Sequence, residues 1–305
     1  MGILKVALPK GHLWSGVKSL LDRAGYGLRV ESERSYSVNS NDPELELRIH
    51  RAQNISPLVE EGKYDLGITG LDWVVEHRAD VEELADLEFG RVNVVAAVPQ
   101  HYGLEESSEG EKVFERFVAK LRREGKEKII VASEYENITR SLCEEKMGSV
   151  PYKFIRSYGA TETFIGVADL IVDCTETGTT LRDNGWQIIH RLFTSTARLI
   201  ANRQSLKDRW KKDKIESFLQ LVAGARDAKG LKLIKLNVAA EALKDVLGVL
   251  PSMKSPTISQ LAGDGKPGFA VEVAVKENQV VQLIPLLKKK GATDILEIDI
   301  DKVIR

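Results

Sequence analysis

Residues 169–185 read Asp-Leu-Ile-Val-Asp-Cys-Thr-Glu-Thr-Gly-Thr-Thr-Leu-Arg-Asp-Asn-Gly. Leu170, Ile171 and Val172 form a short apolar run between two acids, the pattern of a buried strand. The strand delivers Asp173 to its C-terminal end, where a turn rich in Thr and Gly opens a helix. Unpaired N–H groups and the dipole at a helix start favour an anion. Thr177, Thr179 and Thr180 add hydroxyl donors, and Gly178 lets the backbone approach closely. A carboxylate just before such a loop accepts hydrogen bonds from two hydroxyls, which suits a ribose diol. The pattern describes a phosphorylated-sugar site. A Thr-rich helix cap with no ligand gives the same pattern.

The alternation of strand and helix continues outward in both directions. Residues 4–8 are a strand ending at Pro9-Lys10-Gly11, followed by a helix with Leu13, Trp14, Val17, Leu20, Leu21 and Ala24 on one face and Gly25 as its stop. Residues 45–49 alternate as a strand, and Ser56-Pro57 reads as the start of a helix that Gly62 ends. Residues 64–69 are a strand, with Gly70 turning into a helix over 71–77. A β-rich run over 91–98, a helix over 109–126, a strand over 128–132, a helix over 137–146 and a strand over 152–156 precede the quoted segment, and strands over 186–190 and 196–201 follow it. This rhythm predicts an α/β architecture with largely parallel sheets. Two lobes are expected, residues 1–95 with 186–203 and residues 96–185, with the runs 91–98 and 186–192 as the crossovers. Such a two-lobed clamp resembles periplasmic solute-binding receptors, and ligands favour the cleft between lobes.

Residues 204–229 read as a charged linker helix with Trp210, Phe218, Leu219 and Val222 inward; its basic run Arg209-Trp210-Lys211-Lys212 reads as a solvated face. After Gly230 the order becomes β-α-β-β-α-β over residues 230–305, the ferredoxin-like arrangement, with residues 265–268 as a hairpin turn.

The chain has 305 residues, 43% hydrophobic and 29% charged, with a formal net charge of -1. That is globular composition with no global field for nucleic acid or membrane. No apolar window approaches a membrane span, and the N-terminal apolar run is too short for a signal peptide. Two cysteines without CxxC spacing, Cys143 and Cys174, fit a reducing compartment, so a cytoplasmic protein is expected. The five histidines, His12, His50, His77, His101 and His190, show no metal-ligand spacing. Cys174, beside Asp173 at a buried strand end, would have its thiolate disfavoured and reads as packing.

The segment 169–185 resembles the signature of ATP phosphoribosyltransferase. Ala7-Leu8-Pro9-Lys10-Gly11, Arg51 with Asn54-Ile55-Ser56, Asp65-Leu66-Gly67-Ile68-Thr69-Gly70, Ser133-Glu134-Tyr135 with Thr139-Arg140, and Gly159-Ala160-Thr161-Glu162 resemble further segments of that family in the same order. Leu250-Pro251 with Lys254-Ser255-Pro256-Thr257 resembles the C-terminal domain of its long form. His12 and Asn54 stand where the family often has Arg and Asp.

The resemblance implies transfer of a phosphoribosyl group from phosphoribosyl pyrophosphate (PRPP) to N1 of ATP with Mg²⁺ as cofactor and no assigned metal ligands. It also implies inhibition by histidine through the C-terminal domain, inhibition by AMP, and a homo-oligomer from dimer to hexamer. On this reading Asp173 holds the ribose hydroxyls and Glu176 assists near the reacting carbon. Thr177, Gly178, Thr179 and Thr180 bind the 5′-phosphate, and Thr175 is a further substrate contact. Lys10 with Gly11 and Arg51 meet phosphates from the first lobe, Gly70 allows close nucleotide approach, and Glu162 contacts substrate. Asn237, Ser255 and Thr257 are the expected effector contacts. Two other classes remain open on the residues alone, a ligand-binding protein without catalysis and a transcriptional effector domain.

Overall fold

The computed structural model describes residues 2–32, 35–104, 110–126, 128–148, 150–251, 255–262 and 267–304. Its chain divides into two compact units, residues 1–19 with 26–219 and residues 20–25 with 220–305.

The first unit holds two sheets. Its elements begin with β1 (Leu4–Lys10), α1 (Trp14–Arg23), β2 (Ser37–Val38), β3 (Leu45–Arg51), α2 (Ala52–Glu60), β4 (Leu66–Gly70), α3 (Leu71–His77) and β5 (Glu82–Asp86). They continue with β6 (Val92–Pro99), α4 (Gly110–Arg123), β7 (Ile129–Ser133), α5 (Glu136–Met147), β8 (Tyr152–Arg156), β9 (Leu170–Thr175), α6 (Thr179–Asp183), β10 (Trp186–Ser195), β11 (Ala197–Ala201) and α7 (Arg209–Asp227).

The first sheet has the order β2-β3-β1-β4-β11-β5 and the second β10-β6-β9-β7-β8. Each has a parallel core, β3-β1-β4 in one and β9-β7-β8 in the other, and antiparallel strands at its margin. The inner strands β1, β4, β7 and the start of β9 are buried and read as nearly continuous apolar runs for that reason, whereas β3 and β8 alternate with exposed polar residues. Ile55, Val59 and Ile200 pack against Ala7 in the first lobe; Ile171, Leu181 and Trp186 pack against Ala132 in the second.

Three expectations change. The lobe boundaries expected at 95 and 186 move, because β6 and β10 pair with each other along their length inside the second sheet. The chain passes between lobes in the turn after β5 and again between Ser195 and Ala197, so the runs 91–98 and 186–192 are strands of the second lobe and not crossovers. Helix α2 begins at Ala52 rather than at Ser56. Pro57 sits inside it and cannot donate to the Gln53 carbonyl. His77 Nε2 donates to that carbonyl instead, at 2.7 Å, and Ser56 Oγ donates to the Trp73 carbonyl at 3.1 Å. The linker helix is also shorter than expected and straddles the two units, its basic run tied down by Lys211 Nζ against buried Asp65 at 2.7 Å.

The second unit contains β12 (Leu231–Ala239), α8 (Leu243–Leu247), β13 (Thr257–Gln260), β14 (Gly268–Lys276), α9 (Glu277–Lys289) and β15 (Ala292–Asp299). The sheet order β13-β14-β12-β15, antiparallel throughout, is the ferredoxin-like arrangement. Ile234, Leu236, Val271, Val273 and Leu283 build its core. Residues 20–25 join this unit through Arg23, which donates to the Ile300 carbonyl at 3.2 Å and accepts Lys302 Nζ at 3.1 Å. Residues 263–266 and Lys254 lie outside the described residues, so the expected hairpin turn is described only at Pro267 and Gly268. Among the described residues, no helix is long and apolar enough to cross a membrane.

Candidate active site

Strand β9 starts buried at Leu170, Ile171 and Val172 and emerges at Asp173 into the wall of a cavity of about 400 Å³. Glu162, Thr175, Glu176, Thr177 and Thr180 line the same cavity, and so does His12 from the first lobe. Six of the residues expected from sequence therefore meet at one place. Gly178 and Thr179 belong to the same turn.

That turn is built by its own side chains. Gly178 N–H donates to Thr175 Oγ1 at 2.8 Å, and the hydroxyls of Thr177 and Thr179 lie 3.0 Å apart. Gly178 has a φ of 77°, and a Cβ there would meet Ile188 Cδ1 at 2.8 Å and an Arg182 nitrogen at 2.9 Å, so only glycine fits. Arg182 Nη2 reaches the Thr177 carbonyl at 3.1 Å and Thr179 Oγ1 at 3.4 Å, which puts a guanidinium against the loop. Helix α6 spans only five residues, Thr179–Asp183, so the loop hydroxyls and Arg182 carry the anion attraction rather than a long helix dipole.

Burial and the charges of Glu162 and Glu134 push the Asp173 carboxyl up to about 7, against one stabilising N–H, that of Cys174 at 2.8 Å. Cys174 itself is pushed up to about 12 by burial and by Asp173, so its thiol is inert. Glu134 follows Ser133, which pairs with Val172 in the parallel register of β7 and β9; Glu134 and Asp173 therefore leave adjacent strands at the same end. Burial raises Glu134 as well, offset in part by Arg51, Arg156 and the Gly159 N–H. Arg51, at the end of β3, thus faces the second lobe through Glu134.

Other expected residues lie elsewhere. Lys10 and Gly11 line a separate cavity of about 540 Å³ with Trp14 and Tyr36, and Lys10 Nζ stands 5.3 Å from the Tyr36 ring centre. Gly70 is buried, and a Cβ on it would strike Asp72 Oδ1 at 2.1 Å. A close approach that favours glycine there is already made by Asp72. In the second unit, Asn237 Nδ2 donates to Asp294 Oδ2 at 3.0 Å, while Ser255 and Thr257 are exposed, Thr257 opposite Glu272.

The carboxylates around Asp173 are hard oxygen donors. Among the described residues, no set of three or more His, Cys, Asp or Glu side chains is arranged to hold a metal by itself. That donor set suits an ion held by one or two carboxylates and mostly by ligand oxygens, the habit of Mg²⁺.

Residues 51–224 match the family model of ATP phosphoribosyltransferase, and residues 228–302 match that of the HisG C-terminal domain. The chain belongs to the ATP phosphoribosyltransferase family. It is of the long form, with the C-terminal domain present, and its activity is that of an ATP phosphoribosyltransferase, a pentosyl glycosyl transfer that opens histidine biosynthesis. It is 38% identical over 307 residues to the ATP phosphoribosyltransferase of Pelotomaculum thermopropionicum, covering 99% of each chain. It is 40% identical over 308 residues to that of Chlorobium luteolum, covering 99% of this chain and 98% of the relative. Among solved structures, an ATP phosphoribosyl transferase (HisG:HisZ) complex from Thermotoga maritima aligns over 72% of this chain and 97% of its own, with 25% identity and a TM-score of 0.58.

His12 lines the Asp173 cavity, Glu134 leaves the strand beside Asp173 and Arg182 backs the loop, and none of the three was among the expected site residues. Arg182 had a local signal, a cation one turn beyond the Thr-rich loop. His12 and Glu134 stood only inside family-like segments with no role attached, because the contacts that place them are between distant elements.

Proposed function

We propose that the Asp173 cavity binds PRPP and that the enzyme joins its C1 to N1 of the ATP adenine with release of pyrophosphate. The observation that carries this reading is the meeting of Asp173 and a hydroxyl-rich, arginine-backed loop in one cavity. Thr177, Gly178, Thr179 and Thr180 hold the 5′-phosphate by hydroxyl and backbone donors, with Thr175 fixing the turn. Asp173 accepts from the ribose hydroxyls, which orients C1 toward the attacking nitrogen. Departure of pyrophosphate leaves positive charge on the sugar, and Asp173 with Glu176 stabilises it. Glu162 and Glu176 supply carboxylate oxygens for Mg²⁺, which neutralises the leaving pyrophosphate when bound. Arg51 meets phosphate charge from the first lobe, and the Lys10 and Gly11 cavity lies on the same lobe for the nucleotide. Purified protein given ATP, PRPP and Mg²⁺ forms phosphoribosyl-ATP and pyrophosphate in equal amounts; binding of both substrates without product would leave a non-catalytic receptor as the better reading.

The second unit is the regulatory domain on this proposal. Histidine binds at the Asn237, Ser255 and Thr257 surface of its sheet, AMP inhibits at the nucleotide site, and cytoplasmic homo-oligomers up to a hexamer are the working form. Asn237→Ala or Thr257→Ala weakens histidine inhibition about tenfold while uninhibited turnover stays the same. Unchanged inhibition in both variants would move the effector site elsewhere.

A further inference from the structure

Helix α3 carries two acids one turn apart, Asp72 and Glu76, exposed by only 4% and 3%. Like charges at that spacing repel, and buried carboxylates are costly unless their oxygens are satisfied. Here both are satisfied by donors, and most of those donors come from the other lobe. Glu76 Oε1 accepts the Asn137 N–H at 3.0 Å and Oε2 the Ile138 N–H at 3.0 Å, while Asn137 Nδ2 donates to the Glu76 carbonyl at 2.7 Å. Asn137 and Ile138 stand in the first turn of α5, where N–H groups have no partner within the helix. The residue in the α5 cap position, Tyr135, makes no side-chain cap. Glu76 therefore caps a helix of the opposite lobe.

Asp72 makes the second connection. Its Oδ2 accepts Tyr135 Oη–H at 2.7 Å and its Oδ1 accepts Ser195 Oγ–H at 2.6 Å, with the Ser195 hydroxyl also taking the Asp72 N–H at 3.0 Å. The Trp73 and Tyr135 rings pack tilted against each other with centres 4.6 Å apart. The segment gripped in this way, residues 133–138, contains Glu134. Its other end is tied to the Asp173 strand, since Ser133 Oγ donates to the Val172 carbonyl at 2.6 Å and accepts the Tyr135 N–H at 2.9 Å.

We infer that Glu76, with Asp72, is a positioning residue of the first lobe that holds residues 133–138 and thereby sets the place of Glu134 beside Asp173. The inference rests on the reading of the Asp173 cavity given above. A carboxylate suits the task because two oxygens meet two N–H groups at once, and the helix dipole favours negative charge there. The same connection explains why residue 70 is glycine, because any side chain would displace Asp72.

A double-mutant cycle in the full-length enzyme tests it. Glu76→Gln replaces one acceptor oxygen by an amide that faces an N–H. It lowers kcat about tenfold, with KM for ATP and PRPP within about threefold of wild type, because displaced catalytic groups weaken transition-state contacts first. In a Glu134→Gln background, itself impaired, Glu76→Gln then lowers kcat by less than about twofold, whereas the drop in Tm is the same in both backgrounds. Equal kcat losses in the two backgrounds would overturn the inference, and so would wild-type turnover in Glu134→Gln alone. If Glu76→Gln does not fold, Tyr135→Phe, which removes the donor to Asp72, carries the same cycle with the same two readings. Asp173→Asn assayed alongside separates a failure of this inference from a failure of the cavity reading, because only the latter predicts its loss of turnover.

Discussion

The two ends of strand β9 hold the same side chain in opposite conditions. Asp169, just before the strand, is buried and fully engaged: Oδ1 meets Lys126 Nζ and accepts Tyr102 Oη–H at 3.1 Å, and Oδ2 accepts the Ile130 N–H at 3.0 Å. Asp173, four residues on, has the Cys174 N–H and is pressed by two further carboxylates. A buried acid with matched donors fastens a strand to its neighbours. A half-buried acid with a raised pKa and few donors, at a cavity wall, gains from a ligand that brings donors or a cation. The difference is one of partners and not of residue type.

The largest effect that sharpens this contrast is on turnover. Asp173→Asn keeps the shape of the side chain and the Cys174 contact but loses the charge; kcat falls by about 10²–10³-fold. Asp169→Asn leaves kcat of the folded enzyme within about twofold. Comparable loss in both variants, measured by pyrophosphate release, would erase the distinction.

Next in size is the dependence of stability on pH in the ligand-free enzyme. The unfolded chain releases the Asp173 proton near 3.8, the folded chain near 7. The stability held by the folded-state proton is therefore fully present below pH 3.8 and is lost as the pH rises through 7. Glu134, also raised, acts in the same sense. Denaturant unfolding at pH 5 and pH 8 reads the part of this loss that falls between pH 5 and 7, about 3 kcal/mol at most for Asp173. Asp173→Asn flattens the profile and is more stable than wild type at pH 8. A wild-type profile level across that range would contradict the raised carboxyl.

The smallest effect belongs to the structural end. Asp169→Asn weakens the contact with half-exposed Lys126 and lowers unfolding stability by about 1–3 kcal/mol. A change within experimental scatter would show that Tyr102 and Ile130 suffice without the charge.

Much of this was legible in the amino-acid order because local chemistry and tertiary role agree there. The apolar run 170–172, the acid behind it and the Thr-Gly-Thr-Thr turn are contiguous, and the βαββαβ order after Gly230 is a matter of alternation and punctuation. What was not legible depends on partners far along the chain. Residues 82–86, Glu-Glu-Leu-Ala-Asp, carry a helical composition and become strand β5 only because β11 offers an antiparallel edge. Pro57 signals a helix start, yet His77 takes over the carbonyl that the proline leaves free. Residues 91–98 and 186–190 read as strands from sequence, but nothing local says which sheet they join. The loop after Asp173 marked it in the sequence, but the partners that set the two acids apart, Lys126 and Tyr102 on one side and Glu134 and Glu162 on the other, come from elsewhere in the chain.

The loop after Asp173 is proposed to grip the phosphate of a phosphorylated sugar. Titration calorimetry of PRPP in the presence of Mg²⁺, on wild type and on the Thr177→Ala/Thr180→Ala double variant, measures that grip. Loss of two hydroxyl donors to a phosphate weakens binding by about 10²-fold or more, since bonds to charged groups contribute about 1.5–3 kcal/mol each. An unchanged Kd in a variant that keeps its fold would contradict the account.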